Sequence, residues 1–307
     1  MRVVIIGRTE PLYETVISLM AQNLDIAAII TAKAAPEYSK TEKDFEELAK
    51  SGNIPFLNSS NRKGNVLDFL KSIGAVDIAI SINFPTLISA EAIAYFRLGI
   101  LNAHGGDLPR YKGNACQDWA LLQGDSQIAL CIHKMSENLD SGDIIEREYF
   151  PVDIDTRIGF IYDLFGKAIP RLFLSAITKL TKNPEYILER QSMRAVDALR
   201  CYPREPEDGR ISWSDSAVSI LRLINASSEP YKGAFCEYKG ETLIIWRAKL
   251  YLDDERFLAV PGQVCRAEKD AVVVITGKGK LQLLEIEFKG KRIHPFELIR
   301  GIRERIK

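Results

Sequence analysis

No apolar stretch in this chain approaches the roughly 20 residues that a membrane-spanning helix needs. The longest, such as residues 3–7 and 26–30, are far shorter. Neither sign of charge is in excess, with 41 Lys+Arg against 41 Asp+Glu. No global field therefore draws the chain to nucleic acid or to an anionic membrane. Cysteine is sparse and scattered, at Cys116, Cys131, Cys201, Cys236 and Cys265. No pair has the spacing of a zinc or redox motif. The first residues also lack signal-peptide architecture. These features predict a cytoplasmic protein whose thiols are reduced and pack as small hydrophobes. Histidine is rarer still, with His104, His133 and His294. Their spacing excludes a histidine metal centre, and no metal is expected.

Glycine is scarce where a dinucleotide would need it. The first strand-to-helix turn reads Gly7-Arg8-Thr9-Glu10-Pro11, with one glycine rather than three, which disfavours nicotinamide binding. There is no phosphate-cradling loop, since residues 277–280 read as a hairpin turn, and no Gly-x-Ser-x-Gly elbow.

What remains is an ordinary globular composition, 46% hydrophobic and 27% charged over 307 residues, enough for about two domains. The first half alternates strand-like runs (3–7, 26–31, 78–84, 99–103, 128–135) with helix-like ones (12–22, 40–51, 66–73, 90–96, 117–123). That alternation predicts an α/β domain with a Rossmann-like, mostly parallel sheet covered on both faces. A long helix is expected over 158–181, bent or divided at Pro170. Residues 189–206 lack periodicity and read as a linker. Short β runs follow at 211–213, 234–238, 243–252, 263–267, 272–276 and 281–288, with helices at 217–225 and 295–305. This predicts a smaller C-terminal β-barrel or OB-like domain. The expected division is thus 1–188, 189–206 and 207–307.

One segment carries chemistry: Asn102-Ala103-His104-Gly105-Gly106-Asp107-Leu108-Pro109-Arg110-Tyr111-Lys112-Gly113-Asn114. Polar and turn-forming residues follow an apolar strand, at the sheet edge where open α/β folds place their sites. On one strand, Asn102 and His104 face the same side, about 6.6 Å apart, a span that fits a carbonyl under attack between them. The second piece, Leu139-Asp140-Ser141-Gly142-Asp143, follows the next strand. A right-handed crossover to a parallel neighbour would bring Asp140 to His104, where its carboxylate would orient the ring. Asp143 is the rival carboxylate. The Asn102 amide suits a developing oxyanion.

At this point the chain resembles the folate-dependent formyltransferases. The resemblance rests on Asn102-x-His104, the run from Leu108 to Gly113, and Leu139-Asp140-Ser141-Gly142. In the second domain it rests on Pro203-Arg204, Ile211-Ser212-Trp213, Pro230 and Gly233-Ala234-Phe235. It implies an enzyme that transfers formyl from 10-formyltetrahydrofolate to a primary amine, with Asn102, His104 and Asp140 as the catalytic trio. It also places the folate near Phe84, Thr86, Leu87 and Ile88, near Asn114, and along Lys134, Met135, Leu139 and Asp140. Phe84 and Leu87 also read as core packing. One departure stands out: relatives often have His-x-Ser-Leu-Leu-Pro, whereas this chain has Gly106 and Asp107 inside that run. Asp107 either contacts substrate or caps the loop.

The family serves two acceptor classes, initiator methionyl-tRNA and nucleotide-linked amino sugars, as in surface-polysaccharide and lipid A modification. The tRNA enzymes resemble one another in a basic loop after the second strand. Here residues 31–50 hold Lys33, Lys40, Lys43 and Lys50 against Glu37, Glu42, Asp44, Glu46 and Glu47, one net negative charge. Phosphate contacts dominate RNA binding, so this favours the sugar. Residues 289–307 are net positive by five, which suits either RNA or a helix with a cationic C-terminal end. Arg8, Glu10, Asp107, Arg204 and Trp213 are the expected acceptor contacts. The alternative enzyme is a methionyl-tRNA formyltransferase. The alternative of another class is a non-catalytic folate- or nucleotide-binding module. Hydrolytic release of formate is a third reading. A homodimer through the second domain is expected by analogy of fold alone.

Overall fold

In a computed structural model, residues 1–36, 38–59, 66–86 and 88–307 are described. They form two compact units. The first comprises Met1–Cys116, Ile128–Phe150 and Tyr162–Cys201. The second comprises Gln117–Gln127, Pro151–Ile161 and Tyr202–Lys307. The expected linker is therefore divided between them, and two short segments expected in the first domain group with the second.

The first unit is built on β1 (Arg2–Gly7), β2 (Asp25–Thr31), β3 (Phe56–Asn58), β4 (Ile78–Ile82), β5 (Ile100–His104), β7 (Gln127–Lys134) and β8 (Ile144–Pro151). They lie in the order β3-β2-β1-β4-β5-β7-β8. Val3, Val4, Ile5 and Ile6 are fully buried, the near-continuous apolar run that a strand covered on both faces requires. Pairings from β3 through β5 are parallel. β7 then runs antiparallel to β5, which corrects the expected parallel neighbour. β8 was not expected, because charged residues interrupt its pattern. One of them, Glu146, is buried and compensated by Ser175 and by Lys179 at 2.8 Å.

Helices α1 (Glu10–Ala21), α2 (Glu42–Ser51), α3 (Val66–Ile73) and α4 (Ala90–Ala94) connect these strands. α2 starts where Thr41 donates its backbone N–H to Asp44 at 2.8 Å, one half of a capping box. Ser89 caps α4 by accepting from the Ala92 N–H at 3.2 Å. α5 (Cys116–Gln123) precedes β7, and α6 (Ile158–Lys182) is continuous through Pro170. The expected linker instead holds β9 (Leu199–Cys201), which pairs in parallel with the short β6 (Tyr111–Gly113).

The second unit carries β10 (Ala234–Tyr238), β11 (Glu241–Leu250), β12 (Val264–Glu268), β13 (Ala271–Ile275), β14 (Lys280–Phe288) and β15 (Lys291–Ile293). These form an antiparallel sheet in the order β10-β11-β14-β13-β12, with β15 against β14. α7 (Ala217–Ala226) packs Ile220, Leu221 and Ile224 into its core. Residues 211–213 form no strand; the chain there makes a single bridge, Arg210 to Phe235. The expected helix over 295–305 is only α8 (Pro295–Leu298). Its cationic flank is not a helix end: Arg292 in β15 stacks on Trp246 at 3.9 Å and pairs with Glu229 at 2.6 Å.

Candidate active site

β5 delivers Asn102 and His104 in alternate positions, and the antiparallel register sets Asn102 opposite His133 and His104 opposite Cys131. The chain leaves β7 and folds back through Asp140. Asp140 adopts φ 47°, in the left-handed region. Its turn is anchored at Gly142, where a Cβ would sit 1.8 Å from the Lys134 carbonyl oxygen; only glycine permits that approach.

The turn places the Asp140 carboxylate between two imidazoles. Its Oδ2 is 3.6 Å from His104 Nδ1, and its Oδ1 is 3.7 Å from His133 Nε2. Oδ2 also accepts from the Gly113 N–H at 2.9 Å. His104 is 7% exposed, and its Nε2 donates to the Tyr111 carbonyl at 2.7 Å. Gly106 leaves room for that bond, because a Cβ there would lie 2.7 Å from Nε2 and 2.6 Å from the Tyr111 oxygen. The position where relatives carry serine is thus filled here by ring and carbonyl. Asp143 meets Lys134 through its backbone carbonyl, so Asp140 is the carboxylate beside the imidazole.

Two residues complete the cluster that the sequence reading did not assign to it. His133 is 2% exposed, and Asn102 Nδ2 lies 3.3 Å from its Nε2. Burial holds the His133 pKa below the usual histidine range, and repulsion from the neighbouring His104 adds to this. Gln191, inside the expected linker, donates to the Asp140 carbonyl at 3.0 Å and the Gly142 carbonyl at 2.7 Å. Replacing it with leucine frees both carbonyls and is expected to cost about 1–3 kcal/mol. A lowered urea midpoint with an unchanged m-value would be the signature. Lys112 sits at the rim, its Nζ donating to Ser141 Oγ at 2.9 Å. Burial lowers its pKa, against the pull of Asp140.

The remaining predicted positions are distributed as follows. Phe84, Ile88 and Met135 pack against one apolar cluster with Val4, Ile6 and Ala79. Thr86, Asn114 and Leu139 are exposed, and Lys134 is half-buried. Leu87 lies outside the described residues. Arg8 donates to the Asn83 carbonyl at 3.1 Å and the Lys33 carbonyl at 2.6 Å. Glu10 accepts from the backbone N–H groups of Ser39 and Lys40. Both therefore organise the loop after β2. Asp107 accepts from the Tyr149 hydroxyl at 3.0 Å and faces Arg147 at 3.7 Å, the loop-holding role of the two expected. In the second unit, Trp213 is 5% exposed within the core, which corrects its assignment as an acceptor contact. Arg204 donates to the Ala226 and Asp208 carbonyls and to Ser227 Oγ, a structural role rather than an open one. Among the described residues, no group of three or more His, Cys, Asp and Glu could hold a metal ion.

The formyl transferase family model matches residues 1–177, and the model for its C-terminal domain matches residues 204–303. The chain belongs to the formyl transferase family. It is a formyl-transferring enzyme, on an α/β domain with a mostly parallel sheet followed by an antiparallel β domain. Among family relatives, the methionyl-tRNA formyltransferase of Pelotomaculum thermopropionicum is 26% identical over 306 residues, covering 98% of this chain and 96% of the relative. Among solved structures, an N-formyltransferase from Helicobacter canadensis, in complex with folinic acid and dTDP-3-aminofucose, aligns with a TM-score of 0.68 at 14% identity. That alignment covers 92% of this chain and 98% of the other. HypX from Aquifex aeolicus, in complex with tetrahydrofolic acid, aligns with a TM-score of 0.61 at 18% identity. It covers 99% of this formyltransferase, which spans about half of HypX, 48%.

Proposed function

We propose that the protein moves a formyl group from 10-formyltetrahydrofolate to the primary amine of a nucleotide-linked amino deoxysugar. The observation that carries the chemistry is the convergence of Asn102, His104 and Asp140 around the buried His133. The folate, when bound, supplies an activated formyl carbon, and Phe84, Ile88 and Met135 offer an apolar floor suited to its ring. Thr86, Leu87, Asn114, Lys134 and Leu139 complete that assignment.

In this reading, Asn102 donates a hydrogen bond to the formyl oxygen as the amine attacks and the carbon becomes tetrahedral. His104 takes the proton that the amine nitrogen loses on forming the new C–N bond, and returns it to the folate nitrogen as the old bond breaks. Nε2 serves this step once the ring releases the Tyr111 carbonyl and carries its one proton at Nδ1, facing Asp140, which leaves Nε2 bare toward the amine. Asp140 keeps the ring in that orientation.

The acceptor assignment is supported by how residues 31–50 spend their charge. Lys50 pairs with Glu46 at 2.7 Å, and Lys40 pairs with Asp44 at 3.6 Å while lying 4.5 Å from the Tyr13 ring centroid. These lysines are neutralised within their own segment, which leaves little for an acceptor stem. The second reading, formylation of methionyl-tRNA, is favoured by the near full-length relatives of that name. Parallel assays with 10-formyltetrahydrofolate and either UDP-, dTDP- and GDP-linked amino sugars or charged initiator tRNA separate the two. Formylation of a sugar and not of the tRNA is expected. The reverse result would assign the protein to tRNA.

A further inference from the structure

Within the proposed chemistry, Asn102 must present an N–H, not its carbonyl, to the formyl oxygen. A carboxamide can turn over with little steric cost, exchanging donor for acceptor. Something must therefore decide which end faces which way. Asn102 is half-buried and sits opposite His133 across the β5–β7 register.

The hydrogen bonds of His133 make that decision. Its Nδ1 is 2.9 Å from the Lys134 carbonyl oxygen, an acceptor only, so Nδ1 carries the proton. A neutral ring then has a bare lone pair at Nε2. The atom 3.3 Å away is Asn102 Nδ2, and a bare imidazole nitrogen rewards a donor and repels a carbonyl. Three ionisable groups surround the ring: Asp140, with Oδ1 3.7 Å from Nε2; His104, edge-on at 6.0 Å between centroids; and Lys112. Doubly protonating His133 would place an Nε2–H against the Asn102 amino group. Full burial and the two neighbouring bases disfavour that state, against the opposing pull of Asp140.

We propose that His133 is the positioning residue of the site: as the Nδ1-protonated neutral tautomer, it locks the Asn102 carboxamide nitrogen-inward and leaves the second N–H for the formyl oxygen. His133 touches neither substrate; it acts through Asn102. This rests on the formyl-transfer reading for its consequence, but not for the tautomer itself.

Two experiments separate the parts. Nitrogen-15 correlation spectra of the histidine-labelled full chain, with only three histidines to assign, are expected to show the His133 ring protonated at Nδ1 and bare at Nε2 from pH 8 to pH 5.5. Protonation at Nε2 in that range overturns the proposal whatever the enzyme's activity. In steady-state assays, His133→Leu is expected to lower kcat by about 10–100-fold, a fraction of the effect of losing an oxyanion donor, with both KM values changed less than about 3-fold. His133→Gln restores an acceptor near the Nε2 position and is expected to recover kcat to within about 5-fold of wild type. A leucine variant with wild-type kcat, or a glutamine variant as impaired as the leucine one, overturns the proposal. A wild-type chain that formylates no amine defeats the formyl-transfer reading instead, and the tautomer spectrum then still tests the lock.

Discussion

His104→Ala is expected to lower turnover by about 10²–10⁴-fold, the range for removing a general base or acid. The thermal midpoint should move little, since the ring makes one backbone hydrogen bond, to Tyr111, and faces one carboxylate. Asn102→Ala should cost about 10²–10³-fold, as loss of one oxyanion donor does. The two losses should not multiply in the double variant, because in the proposed reaction the two groups act on one tetrahedral species. Single-turnover formylation of whichever acceptor is active is the measurement. Full residual activity in His104→Ala would remove the ring from the chemistry, and a matching fall in thermal midpoint would reduce its role to packing.

A second large effect lies in the other unit and concerns stability. Asp118 in α5 is 0% exposed, with the Arg204 guanidinium 3.8 Å away and the Tyr231 hydroxyl beside it. Burial pushes its pKa up to about 7, more than the Arg204 cation and the Tyr231 hydroxyl pull it down. The folded state therefore holds a proton that the unfolded chain has released near pH 4. Between about pH 4 and pH 7 the native protein binds more protons, and its stability falls as pH rises through that window. Asp118→Asn keeps the shape and removes the titration. It is expected to raise stability more at pH 8 than at pH 5, by a few kcal/mol, on the order of 3. Urea unfolding at the two pH values checks this. A variant less stable at pH 8 than at pH 5, relative to wild type, would show that the ionised pair with Arg204 is what the fold requires.

Much of the first domain was legible because its signals are strong and local. Residues 3–7, 26–31 and 78–84 read as short apolar strands between amphipathic segments, and the buried parallel strands β1, β2 and β4 overlap them. Asn102 and His104 stood out as polar residues at the end of an apolar strand, whereas Asp140 was preferred to Asp143 only through the family resemblance. The direction of β7 was not legible. Ile128, Ala129, Leu130, Cys131 and Ile132 are all buried, and a uniformly apolar run carries no sign of which way it points. The same run concealed His133, which reads as one more core position unless its partner Asn102 is known. Gln191 was missed for the opposite reason: a polar residue in an aperiodic stretch has no pattern to distinguish it. Over residues 295–305 the cationic composition suggested a helix that stops at Leu298, and Gly301, poor in helices, lies shortly beyond. Trp213 was expected, with Arg204, to reach the acceptor from the second domain. Its burial in the core that Ile220 and Val264 share was not written locally.

Because β7 runs against β5, the make-up of the proposed catalytic cluster depends on counting. His133 faces Asn102 only in this register of β7 against β5. A single inserted or deleted residue that slid the strand one step would set Ile132 or Lys134 across from Asn102 and send the imidazole to the opposite face of the sheet. Substitutions at the exposed positions of the connection between Gly113 and Gln127 leave the register as it is, whereas a change of length that propagates into β7 does not. In laboratory evolution, insertion libraries should spare this span even where point-mutation libraries roam.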